Sequence, residues 1–147
     1  MKNETTQDQA LDVLIDLMEF YHEKLFKAEY EELTGIQVAQ FRLLIQLHNT
    51  PMLPMSTLGK MLYISRPYMT SLVDSLVQEN LVERHYNPHD RRVINVSISE
   101  KGREKLLSIR NRIRKQLKCL ISGLQESDLQ ILCTSGKDLT GVVSKLH

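Results

Sequence analysis

Apolar residues recur along this chain at helical steps in six stretches and alternate in the manner of strands in two. Leu11, Leu14, Met18, Tyr21 and Leu25 step by three and four, which predicts an amphipathic helix over about residues 8–32. Thr34-Gly35 interrupts it. Val38, Phe41, Leu44, Ile45 and His48 predict a second helix whose buried face His48 completes, closed by Asn49-Thr50-Pro51. Pro51 and Pro54 bracket a linker. Ser56 is placed to cap a short third helix that turns Leu58, Met61 and Leu62 inward. Ser65 caps a fourth, with Pro67 in its first turn, where a missing N–H costs nothing. That helix buries Met69, Leu72, Val73 and Leu76 and shows Arg66, Thr70, Ser71, Asp74, Ser75 and Gln78. Asn80, suited to a left-handed C′ position, stops it.

At Leu81 the period changes to two. Leu81–Tyr86 reads as one strand, and Ile94, Val96 and Ile98 mark a second. The loop between them, Asn87-Pro88-His89-Asp90-Arg91-Arg92, is longer than a tight hairpin turn and carries two adjacent arginines. Ser99 starts a long fifth helix with its stripe at Leu106, Ile109, Ile113, Leu117, Leu120 and Leu124, ending near Gly123. Leu129, Leu132, Gly136, Leu139, Val143 and Leu146 mark a sixth. Gly136 and Gly141 each weaken that helix by about 1 kcal/mol relative to alanine, so it depends on packing against a partner.

The order helix, turn, helix, hairpin over about residues 54–99 suits duplex DNA. A helix of about 13 residues, ~20 Å long, fits a major groove about 12 Å wide, and small polar side chains on its exposed face reach base edges. A basic hairpin tip beside it can put an arginine into the neighbouring minor groove. Taken singly, these features also describe a solvated helix face and a surface charge pair. The predicted fold is mostly α (α+β): a winged helix-turn-helix with a two-stranded β-wing and long terminal helices that form a dimerisation domain. It divides as residues 1–35, an N-terminal dimerisation helix; 36–100, the DNA-binding part; and 101–147, C-terminal dimerisation helices, all one continuous structural domain.

Charge sharpens this picture. The net charge of +1 hides two opposed segments. Residues 1–32 carry nine acids against three lysines, a net of −6, and residues 101–118 carry eight bases against Glu104, a net of +7. The basic segment can face phosphates or neutralise the acidic one in a dimer, and different turns can do both. Charges interrupt every apolar run before the roughly 20 residues a membrane span needs. The opening MKNETTQDQA has no apolar signal-peptide core, so cytoplasmic residence is expected.

The segment Ser65-Arg66-Pro67-Tyr68-Met69-Thr70-Ser71-Leu72-Val73-Asp74-Ser75-Leu76 resembles the recognition helix of the MarR family of bacterial and archaeal regulators. Leu81-Val82-Glu83-Arg84 continues the likeness. Asn87-Pro88-His89-Asp90-Arg91-Arg92 is similar to the family's wing, Ser97–Gly102 closes the motif, and Leu33-Thr34 with Gln40-Phe41 extends it upstream. The resemblance implies a homodimer on a pseudo-palindromic operator, a repressor whose DNA affinity falls when a small aromatic or phenolic ligand binds. The residues that would meet DNA are Ser56, Ser65, Arg66, Pro67, Tyr68, Thr70, Ser71, Asp90, Arg91 and Arg92. Asp90 and Arg92 sit two apart at the start of a strand, where side chains can share one side of the pleat, and the resemblance implies that they form a salt bridge that braces the wing. A ligand would lie between helices one, two and five, where Met18, Tyr21, His22, Phe26 and Arg42 are candidate lining residues. Each of these five also reads as plain core. Two departures stand out. Many members carry Arg at the positions of Ser71 and Ser75, so this recognition helix offers fewer cations. Tyr63 stands where the family's turn often has Gly, which predicts an unusual backbone conformation.

Other chemistry finds little support. Oxidant sensing through a cysteine in the first helix has no residue to use, since Cys119 and Cys133 are the two cysteines; both read as small buried hydrophobes. The histidines show no metal-ligand spacing, so neither metal nor cofactor is expected. No nucleophile with its base, paired carboxylates or phosphate loop can be assembled, so the chain does not read as an enzyme. The alternative from another class is a winged-helix protein-interaction module without DNA binding. Paired wing arginines argue against it.

Overall fold

The computed structural model describes residues 5–27, 33 and 35–146, the side chains of Gly35 and Ile36 excepted. Helix α1 (Thr6–Phe20) starts in a capping box. The Thr5 hydroxyl accepts the Asp8 N–H at 3.2 Å, and the Asp8 carboxylate accepts the Thr5 N–H at 2.9 Å. Bonds from the Thr5 hydroxyl and then its amide hold the Asp8 carboxyl below its usual range. The helix loosens into a π-helical turn at Tyr21–Leu25. The expected end of this first helix, residues 28–32, and Thr34 of the expected break lie outside the described residues.

The next elements are α2 (Gly35–Asn49), β1 (Met52–Pro54), α3 (Met55–Leu62), α4 (Arg66–Gln78), β2 (Val82–Tyr86), β3 (Ile94–Ile98), α5 (Glu100–Ile121) and α6 (Glu126–Val143). Two compact units divide them, one within Met1–Arg114 and one within Lys115–His147. No helix among the described residues is long and apolar enough to cross a membrane.

The core lies wholly in the first unit. Val38, Phe41, Leu43, Leu44 and Leu47 of α2 meet Leu58 of α3 and Met69, Leu72, Val73 and Leu76 of α4, with Val82, Val96 and Ile98 of the sheet and Leu106 and Ile109 of α5 closing the cluster. The expected face of α4 is therefore borne out residue by residue. That of α2 is wider than expected: Leu43 and Leu47 are buried, whereas His48 is exposed. A helix covered on two sides needs more than one stripe, and leucine takes the position that a histidine would occupy only at a desolvation cost.

Three local expectations need correction. The linker at residues 51–54 is a strand: β1 pairs antiparallel with β3 (Leu53 opposite Val96), so the two-stranded wing sits in a three-stranded sheet of order β1-β3-β2. Pro54 is tolerated there because β1 is an edge strand. Helix α3 is preceded by Pro54 and has no side-chain cap, so Ser56 lies inside it. Met61 points outward while Leu58 is fully buried.

Both ends of the helix-turn-helix close on left-handed residues. Tyr63 (φ 54°) follows α3 and Asn80 (φ 58°) follows α4. Each supports a pair of bonds to the last helical turn: Tyr63 N–H to Lys60 O (3.3 Å) with Ile64 N–H to Gly59 O (2.9 Å), and Asn80 N–H to Val77 O with Leu81 N–H to Leu76 O (both 2.9 Å). The left-handed conformation costs an L-residue roughly 1–2 kcal/mol. At Asn80 buried Leu81 packing beside Leu76 offsets it.

Helices α1 and α6 bury no residue within the chain. Leu11, Met18 and Phe20 of α1 are exposed, as are Ile131, Leu132 and Val142 of α6. Cys119 and Cys133 are exposed too, against the expectation of burial, because the stripes they flank are uncovered in the single chain.

Helix α5 starts against the end of α4. Ser99 Oγ accepts the Gly102 N–H at 3.0 Å and donates to Asn80 O at 2.7 Å, while Ser99 N–H donates to Leu81 O at 3.0 Å. Gly102 closes this junction. A Cβ there would stand 2.1 Å from Leu81 O and 2.8 Å from Ile98 Cγ1. Gly102→Ala is expected to lower stability by about 2–3 kcal/mol through overpacking against backbone, read as a fall in the urea midpoint. An unchanged midpoint would show that α5 shifts freely on α4.

Candidate nucleic-acid interface

Helix α4 is 13 residues long and begins at Ser65, whose Oγ accepts the Tyr68 N–H at 3.4 Å. The buried stripe turns its opposite face outward. Arg66, Pro67, Tyr68, Thr70 and Ser71 are all exposed there. Thr70 Oγ1 donates to Arg66 O at 3.1 Å and Ser71 Oγ donates to Pro67 O at 3.3 Å. With their protons used within the helix, both hydroxyls present lone pairs outward, suited to amino groups of adenine or cytosine.

Not all of the predicted polar face is available. Asp74 pairs with Arg84 of β2, tying the helix to the wing strand and neutralising the acid of α4. Ser75 is half-buried: it donates to Leu72 O at 2.8 Å and accepts from Gln40 Nε2 at 3.2 Å. The same Gln40 amide donates to Glu79 Oε1 at 3.1 Å, so α2 holds α4 near its C-terminal end.

The wing tip is built by two side chains acting on backbone. Asn87 Oδ1 accepts the His89 N–H, and Asp90 Oδ1 accepts the Arg92 N–H, each at 2.9 Å. Val93 N–H donates to Asp90 O at 3.0 Å, which closes a four-residue turn with Arg91 and Arg92 at its centre. The expected ion pair between Asp90 and Arg92 is thus replaced by a bond to the Arg92 amide. The expectation placed both residues on a strand; β3 begins only at Ile94, so the pleat that would align the two side chains is absent. Asp90, Arg91 and Arg92 are all exposed.

Between helix and wing lies an open cleft of about 1180 Å³. It gathers Ser56, Ser65, Arg66, Thr70 and Arg92 of the predicted DNA-facing set, while Pro67, Tyr68, Ser71, Asp90 and Arg91 lie outside its lining. It adds two residues that the sequence reading missed, Lys60 and Tyr63. Lys60 follows Ser56 by one helical turn, a spacing that could have revealed it. Among the described residues the lining holds three cations, Lys60, Arg66 and Arg92, and no acid. The N-terminus of α4 opens on the same cleft, and the positive end of its helix dipole favours an anion.

The candidate ligand residues divide differently. Tyr21, His22 and Phe26 form one ring cluster, with centroids 5.6–6.1 Å apart. Met18 and Arg42 are both exposed.

A sequence profile of the MarR family matches residues 36–94. The chain is 29% identical over 111 residues to the uncharacterized HTH-type transcriptional regulator YhbI of Bacillus subtilis, covering 76% of this chain and 70% of that one. It is 29% identical over 111 residues to the HTH-type transcriptional regulator MhqR of the same organism, 76% of each. The HTH-type transcriptional repressor MdtR, also from B. subtilis, is 32% identical over 74 residues, about half of each chain. Among solved structures, wild-type MarR from E. coli superposes with a TM-score of 0.73 at 22% identity over 86% of this chain and 95% of that one. A MarR family protein from Bacillus stearothermophilus gives 0.73 at 20% identity over 96% and 100%. At these identities the structural likeness is one of fold.

The wing geometry makes a prediction of its own. Asp90→Ala removes the acceptor of the Arg92 N–H, so amide exchange at Arg92 is expected to accelerate several-fold, the loss of a hydrogen bond worth about 1 kcal/mol. Exchange at Val96, in the paired β3, should not change. Unaltered protection at Arg92 would mean that the turn holds without its carboxylate.

Proposed function

We propose that this chain, whose residues 36–94 match the MarR family profile, is a DNA-binding transcription regulator of that family acting as a homodimer on a pseudo-palindromic operator, where it represses until a small aromatic or phenolic ligand lowers its affinity for DNA. Residues 36–100 serve as the DNA-binding part and the flanking helices join the protomers. This is a family of transcription regulators rather than of enzymes.

The observation that carries the DNA reading is the cleft. Lys60, Arg66 and Arg92 line it without an acid among them, beside a helix face of exposed hydroxyls. Cations positioned in this way bind phosphates and fix register, while Thr70 and Ser71 are placed to read base edges. Arg91 projects from the wing tip and is suited to the minor groove. The dimer reading draws on the uncovered apolar faces of α1 and α6. Repression has support from the name of MdtR, and the ligand reading from the ring cluster of Tyr21, His22 and Phe26, which suits an aromatic guest.

Salt dependence tests the proposal. Three cleft cations in each of two protomers make six phosphate contacts, which gives a slope of log K against log salt of about −5. A labelled duplex selected from a random pool by the protein is the probe. A slope near zero would favour the protein-docking alternative. Arg92→Ala in both protomers should flatten the slope by about 2 units and leave the melting temperature within a few degrees.

For the ligand, a hydroxybenzoate titrated into the protein–duplex complex is expected to release DNA. Tyr21→Ala should bind the duplex as the parent does and lose this response. Release that persists in Tyr21→Ala would place the ligand elsewhere.

A further inference from the structure

The turn between α3 and α4 holds a side chain that the fold of the chain does not explain. Tyr63 adopts a left-handed backbone conformation (φ 54°, ψ 41°) that glycine takes without steric cost. Left-handed positions in folded chains are justified when burial or a hydrogen bond offsets the strain, as burial of Leu81 does after Asn80. At Tyr63 the return comes from the backbone bonds of the turn and from Ile64, which packs against the core, and the tyrosine side chain adds nothing to it, since 97% of its surface is exposed. Folding alone therefore gives no reason for a tyrosine here.

Its location gives one. Tyr63 lines the cleft with Lys60, Arg66 and Arg92, two residues before the cap of α4. The bonds from Tyr63 N–H to Lys60 O and from Ile64 N–H to Gly59 O fix the backbone on both sides, so the Cα–Cβ bond leaves the turn in a set direction. Strain held at an exposed position beside a binding surface points to a partner outside the chain.

We propose that Tyr63 is a contact to the DNA backbone: its phenol O–H donates a hydrogen bond to a phosphate oxygen flanking the groove that α4 enters, and its ring rests on the adjoining deoxyribose. This rests on the DNA-binding reading above. The contact differs in kind from its neighbours in the cleft. A cation that meets a phosphate releases counterions and makes affinity salt-dependent, whereas a neutral phenol adds affinity without that dependence.

Tyr63→Phe and Tyr63→Gly separate this role from a structural one. Anisotropy of two fluorescein-labelled duplexes, one selected by the parent protein and one of random sequence, is measured across a range of salt, alongside thermal melts. Tyr63→Phe is expected to weaken binding to both duplexes about a hundred-fold or more, the worth of one hydrogen bond to a charged group in each of two protomers, with the parent's salt slope retained. Tyr63→Gly should bind at least as weakly and melt at or above the parent's temperature, since glycine relieves the strained position. Arg92→Ala, measured beside them, should change the slope.

Three results would overturn the contact while leaving the DNA-binding reading intact. Both variants could bind as tightly as the parent. The loss could be confined to the selected duplex, which would mean base readout rather than a phosphate bond. Tyr63→Gly could melt well below the parent, which would make the residue structural. A parent protein that binds neither duplex would bring down the DNA-binding reading itself, and this contact with it.

Discussion

Helix α4 can face DNA only because its two ends are fixed, and a left-handed residue fixes each of them. Tyr63 turns the chain out of α3 and Asn80 turns it out of α4, each tying the following residues back onto the last helical turn. Everything that positions the helix is built on these two turns. After Asn80, Leu81 drops into the core and offers its carbonyl to Ser99 N–H, which sets the start of α5. Lys101 Nζ adds a bond to Glu79 O at 3.0 Å, a cation at the negative end of α4. Gly102 lets α5 approach the chain at Leu81 and Ile98 to a distance that no other residue permits. The recognition face is thus oriented by backbone geometry before any side chain on it is chosen.

Charge is sorted by the same scaffold. Acids near the interface are occupied within the chain: Asp74 by Arg84, Glu79 by Gln40, and Asp90 by an amide of its own turn. Pairing of this kind at the surface adds little stability, about 0–1 kcal/mol for an exposed pair. Its consequence is electrostatic. With Asp74 neutralised, Lys60, Arg66 and Arg92 set the potential of the cleft, and a phosphate approaching α4 meets no opposing field from that helix. Few arginines are then needed on α4 itself, where Arg66 is the one basic residue.

Much of this was legible in the sequence, and the rest was not for physical reasons. The stripe Met69, Leu72, Val73 and Leu76 has a single reading because α4 is covered on one side. Helix α2 is covered on two, so a one-stripe reading admitted His48 and passed over Leu43 and Leu47. Strand β1 is three residues long with a proline at its end; only β3, forty residues later, gives it a partner. Tyr63 joins the candidate site only because α3, α4 and the wing surround one cleft, a proximity that no local pattern encodes, whereas the one-turn spacing of Lys60 from Ser56 does carry a local signal. Asp90 was recognised as important, but its acceptor role depends on a turn that begins before the strand on which it was expected to lie.

The terminal helices follow a different logic from the centre. Among the described residues every buried core residue lies within Leu33–Ile109, so the central segment covers its own apolar surface. Helices α1 and α6 do not, although both carry regular apolar stripes. A helix gains most of its stability from packing an apolar face rather than from propensity. For α6, which carries Gly136 and Gly141 and buries nothing, propensity is especially weak, and the space around both glycines is open in the single chain. A second protomer supplies the missing surface in the dimer proposed above. That same surface sets the distance between two recognition helices, and so the spacing of half-sites about one helical turn apart on DNA. On that proposal, recognition of an operator depends as much on the uncovered apolar faces of α1 and α6 as on the residues that face the groove.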